Sequence, residues 1–131
     1  MFAVEVRDHI MIAHSFPAEV FGPAQGVHGA TFTVDLAFYS ETIDLYGMVV
    51  DIGLALEALS EILTPLKYKN LDDVPEFKGK FTTTEFLCQH IFDAMAGRVR
   101  QGDLNDEGRV KKLRVKLHES HVARAWFEGD I

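Results

Sequence analysis

The stretch Thr31-Phe-Thr-Val-Asp-Leu-Ala-Phe38 alternates without a break: Phe32, Val34, Leu36 and Phe38 fall on one side, and Thr31, Thr33, Asp35 and Ala37 on the other. Successive side chains of a strand leave opposite faces, so this pattern predicts a strand with one face against a core. Upstream, Gly22-Pro-Ala-Gln-Gly-Val-His-Gly29 is glycine-rich and reads as the approach to that strand. Phe2 to Phe16 contains a second extended segment, with Val4 and Val6, then Ile10, Ile12 and His14, on alternate positions. Downstream, Ser40 to Gly47 is a polar connection and Met48-Val49-Val50 a short apolar return. Asp51 has the chemistry of an N-cap for a helix reaching about Leu63, with Leu56, Leu59, Ile62 and Leu63 as its apolar stripe and Pro65 helping to stop it.

Lys67 to Lys80 is polar and turn-rich. Thr82 and Glu85 have the spacing of a capping box, which predicts a second helix to about Ala96 that buries Leu87, Ile91, Phe92 and Met95, with Gly97 near a C-terminal cap. Val110 to Leu117 alternates again, with Lys112, Arg114 and Lys116 outward, and Val122 to Glu128 supplies a last strand with Ala123, Ala125 and Phe127 on one face. The order is strand, strand, helix, helix, strand, strand. Two hairpins flanking two consecutive helices imply an α+β fold, a four-stranded antiparallel sheet with both helices on one face, formed by one domain over residues 1–131. Four strands are too few to close a barrel, so the outer edges invite pairing with copies of the same chain, and a ring is expected.

Composition narrows the function classes. The chain has 131 residues, 47% of them apolar and 25% charged, which suits an ordinary globular protein. A formal net charge of -7 argues against nucleic acid as a partner. The longest apolar runs fall far short of the roughly 20 residues that span a bilayer, so no membrane is expected. The single cysteine, Cys88, excludes an internal disulfide, and no secretory leader pattern is visible; a cytoplasmic location is expected.

Several short motifs occur in a telling order: Ile12-Ala13-His14, His28-Gly29, Gly47-Met48-Val49-Val50-Asp51, Leu66 to Asp73, Thr84-Glu85 and His118-Glu119. In this order and spacing the chain resembles the 6-pyruvoyltetrahydropterin synthase and 6-carboxytetrahydropterin synthase family, over nearly its whole length. The resemblance implies the tunnel fold, in agreement with the strand and helix order. It also implies homohexamers of two trimeric rings, with sites between subunits, and a pterin-like small molecule as ligand.

The family's chemistry draws on three sets of residues, and the chain matches them unequally. Family members bind zinc through three histidines, one in the first strand and two in a His-Gly-His motif. The matching positions are His14, His28 and Ala30, so the metal site is incomplete and zinc is possible rather than required. Three imidazoles and an open position are the usual catalytic zinc arrangement. The family's Leu-Asp-His-x-x-Leu-Asn motif corresponds to Leu66-Lys67-Tyr68-Lys69-Asn70-Leu71-Asp72, which places Lys67 and Tyr68 where the acid–base pair should be. The family's cysteine position falls on Ala24 or Gly22, and Cys88 lies inside the second helix instead. The ordinary reaction on 7,8-dihydroneopterin triphosphate is therefore not expected.

The third set is kept. The resemblance makes Glu119 the carboxylate that pairs with the 2-amino and ring N3 groups of a pterin, with Thr83 and Thr84 lining the same pocket. A bidentate, charge-assisted contact of this kind selects pterin and guanine-like edges. Lys67 and Tyr68 offer a metal-free alternative, since dihydroneopterin aldolase, a fold-level relative, also relies on a lysine and a tyrosine; that analogy is one of fold alone. Three functions stay open at this point: a divergent pterin-binding family member, a metal-free pterin side-chain lyase, and a non-catalytic binding or scaffold subunit.

Overall fold

The computed structural model describes residues Met1–Ile131. Six elements carry the architecture: β1 (Phe2–His14), β2 (His28–Ser40), α1 (Ile52–Leu63), α2 (Thr84–Arg100), β3 (Lys112–His118) and β4 (Arg124–Asp130). Short 3-10 turns at Glu19–Gln25, Leu71–Asp73 and Pro75–Phe77 shape the connections. The strands form one sheet in the order β1-β2-β3-β4, every pair antiparallel. The expected α+β arrangement, a four-stranded antiparallel sheet with helices packed on it, is the one observed.

The alternation quoted above sets which face is covered. Phe32, Val34, Leu36 and Phe38 are wholly buried, and Leu113, Val115 and Leu117 of β3 continue the same face. Helix α1 packs against β1, α2 against β3 and β4, and the helices against each other. The result is one contiguous apolar cluster. Each fully buried Leu or Phe contributes about 1.5–3 kcal/mol of transfer free energy.

The helix ends follow side-chain chemistry. Asp51 caps α1 as its sequence suggests, accepting from the Leu54 amide at 3.1 Å. The cap of α2 is Thr83, whose hydroxyl accepts from Phe86 N at 3.2 Å, and not Thr82, because the buried Thr82 hydroxyl turns to His14 instead. Helix α2 also runs past Gly97 to Arg100, because Met95, Ala96 and Val99 extend its buried stripe and Arg98 ties it to Glu61 at 2.8 Å. Gly102, with φ of 82°, takes the left-handed turn that follows. The last strand begins at Arg124 rather than Val122, because the amides of Glu119 and Ser120 both donate to Ala123 O and close a tight turn.

Candidate functional site

Strand register brings the two candidate histidines together. His14, the last residue of β1, stands opposite His28, the first of β2, and both lie on the helix-covered face. Their ring centroids are 4.6 Å apart, with the Phe16 ring 4.5 Å from that of His14. His28 Nδ1–H donates to the Gly26 carbonyl at 2.9 Å, an acceptor only, so His28 Nε2 carries the lone pair. His14 Nδ1 bonds Thr82 Oγ1 at 3.1 Å, while its Nε2 is buried without a partner, in a residue only 2% exposed. Burial first, and then nearby His28, push His14 below the ordinary imidazole range and favour its neutral form.

Two imidazoles whose Nδ1 atoms are engaged and whose Nε2 atoms are free match how metal-binding histidines are oriented. The third donor of the zinc site implied by the resemblance is missing. Ala30 lies two residues beyond His28 on the same face, and nowhere do three His, Cys, Asp or Glu side chains converge as a metal site. Asp72, the acid near His14, spends its carboxylate on Ser15, with 2.6 Å to the hydroxyl and 3.1 Å to the amide. The residues present fit two-thirds of a three-imidazole site, so no chemical step is routed through a metal below.

The segment carrying Lys67 and Tyr68 lies along the open edge of β1. Tyr68 N donates to Met11 O at 2.7 Å and Ala13 N to Lys69 O at 2.9 Å. Lys67 Nζ pairs with both oxygens of Asp8 at 3.4 Å, so the lysine standing in a carboxylate's place faces a carboxylate on β1. Tyr68 has a φ of 59° and its side chain stands in solvent, the residue being 82% exposed. A bulky residue in the left-handed region is strained, and the flanking hydrogen bonds to β1 hold it there.

Glu119 lies at the β3–β4 turn, and its carboxylate has no hydrogen bond or ion pair within the chain. It lines a shallow polar cleft of about 330 Å³ together with Arg7, Thr31, Thr33 and His118. That cleft opens on the helix-free face. Thr83 and Thr84 do not line it, and Thr83 is committed to capping α2. Thr33 pairs with His118, and His28 lies five residues further along β2, about 17 Å at strand spacing. One chain therefore presents the carboxylate and the histidine pair as separate regions.

The helix-free face also holds a buried ionic cluster that alternation alone does not disclose. Asp35, 4% exposed, accepts from Arg7 Nε at 2.6 Å and Nη2 at 2.8 Å, and contacts His118 Nε2 at 2.8 Å. The Arg7 hydrogen bonds hold the Asp35 carboxyl below the usual carboxylate range against its burial, and His118 adds to the effect. The one sequence signal was an acid in mid-strand between Val34 and Leu36. Its partners depend on register: Arg7 is directly opposite on β1, and His118 sits one diagonal away on β3. Elsewhere on this face Lys112 pairs with Glu128 at 2.8 Å, Arg114 with Glu5 at 3.3 Å, and Lys116 lies over Trp126. Cys88 is buried in α2 with its thiol pushed up to about 11 by desolvation, which keeps it protonated.

Comparison with known proteins agrees with this architecture. A family model described as 6-pyruvoyl tetrahydropterin synthase matches residues 3–130. The chain is 35% identical over 82 residues to the 6-pyruvoyl tetrahydrobiopterin synthase of Poecilia reticulata, covering 60% of this chain and 56% of that protein. It is 33% identical over 79 residues to the enzyme of the same name from Dictyostelium discoideum, covering 59% and 58% respectively. The matched stretch thus spans little more than half the length of these curated relatives. The fold superposes on the 6-pyruvoyl tetrahydropterin synthase of Caenorhabditis elegans with a TM-score of 0.80 at 21% identity, covering 98% of this chain and 95% of that one. The Plasmodium vivax counterpart gives 0.76 at 16% identity over the whole of both chains.

Proposed function

Because the chain belongs to the 6-pyruvoyl tetrahydropterin synthase family, we propose that it binds a pterin or related purine-like ring through Glu119, with the acid–base and metal chemistry altered. The observation that carries this reading is the unpaired Glu119 carboxylate at the rim of a polar cleft. A carboxylate left free by its own chain, flanked by threonine hydroxyls, suits the flat amide–amine edge of such a ring. Thr83 and Thr84 would join it from a neighbouring subunit. The chain has the means to assemble: β4 is an open edge, and Phe2, Ile43, Met48 and Ile52 leave an apolar stretch exposed beside the start of β1. A homohexamer of two rings, in the cytoplasm, is part of this proposal.

Fluorescence titration with 7,8-dihydroneopterin tests it. Removing a charged hydrogen-bonding partner costs about 1.5–3 kcal/mol, so Glu119→Ala is expected to weaken Kd by roughly tenfold to a hundredfold. Equal affinity in wild type and variant would overturn the ring anchor.

A second reading has its own observation, the Lys67–Asp8 pair beside a strained, solvent-facing Tyr68. These groups could move protons on a pterin side chain without metal. Lys67→Met and Tyr68→Phe separate the readings, since turnover should fall while ring binding survives. A binding or scaffold subunit would show ring binding and no turnover in any variant.

A further inference from the structure

We propose that His118, oriented by Asp35 and Arg7, is the proton-transferring base of the Glu119 cleft, at a different position from the family's own acid–base pair. This rests on the ring-binding reading above. Asp35 is held ionised by the two Arg7 hydrogen bonds and can only accept, so the 2.8 Å contact is a His118 Nε2–H donating to Asp35 Oδ2. That bond sets the tautomer: Nδ1 carries the lone pair. His118 and Glu119 line the same cleft, so a ring held by the carboxylate lies beside the imidazole. A carboxylate that fixes a histidine tautomer and stabilises the imidazolium is the arrangement by which histidine acts as a base near neutral pH.

The step is a proton relocation. His118 Nδ1 takes a proton from the ligand C–H on the carbon attached to the ring, and the electron pair left behind delocalises into the adjoining ring C=N system. The imidazolium, bonded to Asp35, returns the proton to a second ligand atom. One bond to hydrogen breaks, one forms, and nothing is oxidised or reduced. Arg7 touches only Asp35 in this scheme, and both are positioning residues.

The test uses the full chain with 7,8-dihydroneopterin in deuterium oxide, following loss of ligand C–H signals by proton NMR alongside a binding titration. The wild type is expected to accelerate exchange over buffer. His118→Gln is expected to lower that rate by about 100-fold, a loss much larger than any accompanying change in Kd. Wild type that binds the ring without accelerating exchange, or His118→Gln exchanging at the wild-type rate, overturns the base and leaves ring binding standing. Absence of ring binding in the wild type removes both readings. Should His118→Gln fail to fold, the nitrogen-15 spectrum of wild-type His118 decides. Nε2–H with a bare Nδ1 that shifts on adding the ligand supports the assignment, and a proton on Nδ1 refutes it.

Discussion

Replacing Ala30 by histidine asks whether the His14–His28 pair is the remainder of a zinc site. Ala30 points to the same face as His28 and lies two residues along β2, about 6.7 Å away at strand spacing. His14 faces His28 across the register, so the new imidazole completes a triangle whose other two corners have their Nε2 atoms free. Ala30 is half-buried against the core and pairs with the buried Ile12, so the larger ring has to be accommodated. Overpacking of this kind costs about 1–3 kcal/mol, which makes the metal-free variant less stable than wild type. Zinc at a hundredfold excess over its Kd returns about 2.7 kcal/mol. At roughly 4 °C per kcal/mol for a chain of this size, that is a zinc-dependent rise in Tm on the order of 10 °C. The assays are metal content after dialysis and melting with and without zinc. The expected result is one zinc per chain in Ala30→His and a large rise in Tm, against substoichiometric metal and little rise in wild type. A variant that takes up no zinc would refute the geometry. A wild type that already holds one zinc, lost in His28→Ala, would show that a further donor completes the shell around His14 and His28.

Two further outcomes follow from burial and charge. Phe38→Ala removes a wholly buried ring from the middle of the covered face and is expected to cost about 3–5 kcal/mol, read as a lower urea midpoint with unchanged slope. Asp35 has a folded-state pKa below its unfolded value, so its stabilisation is present above the unfolded carboxyl pKa of about 3.9 and is lost as pH falls through the depressed value. Asp35→Asn is therefore expected to be less stable than wild type at pH 7, with the gap closing below about pH 4; a gap independent of pH would place the effect in packing.

The sequence by itself determined the face of the sheet that packs. Alternation in Thr31–Phe38 and in Leu113–Leu117, with Asp51 as a cap, is local information, because strand and helix periods and caps act within a few residues. The order of motifs also singled out His14, His28 and Glu119 as candidates. Tertiary structure decided what each of these side chains touches. Thr82 and Thr83 are adjacent and chemically alike, and only the tertiary approach of the end of β1 to the residues preceding α2 gives one hydroxyl to His14 and the other to Phe86 N. Likewise the Asp35 cluster joins residues 28 and 83 positions apart in the chain, and a slip of one residue in either ladder would dissolve it. A hydrogen bond depends on position to within a few tenths of an ångström, and only the closed sheet supplies positions that exact between distant segments.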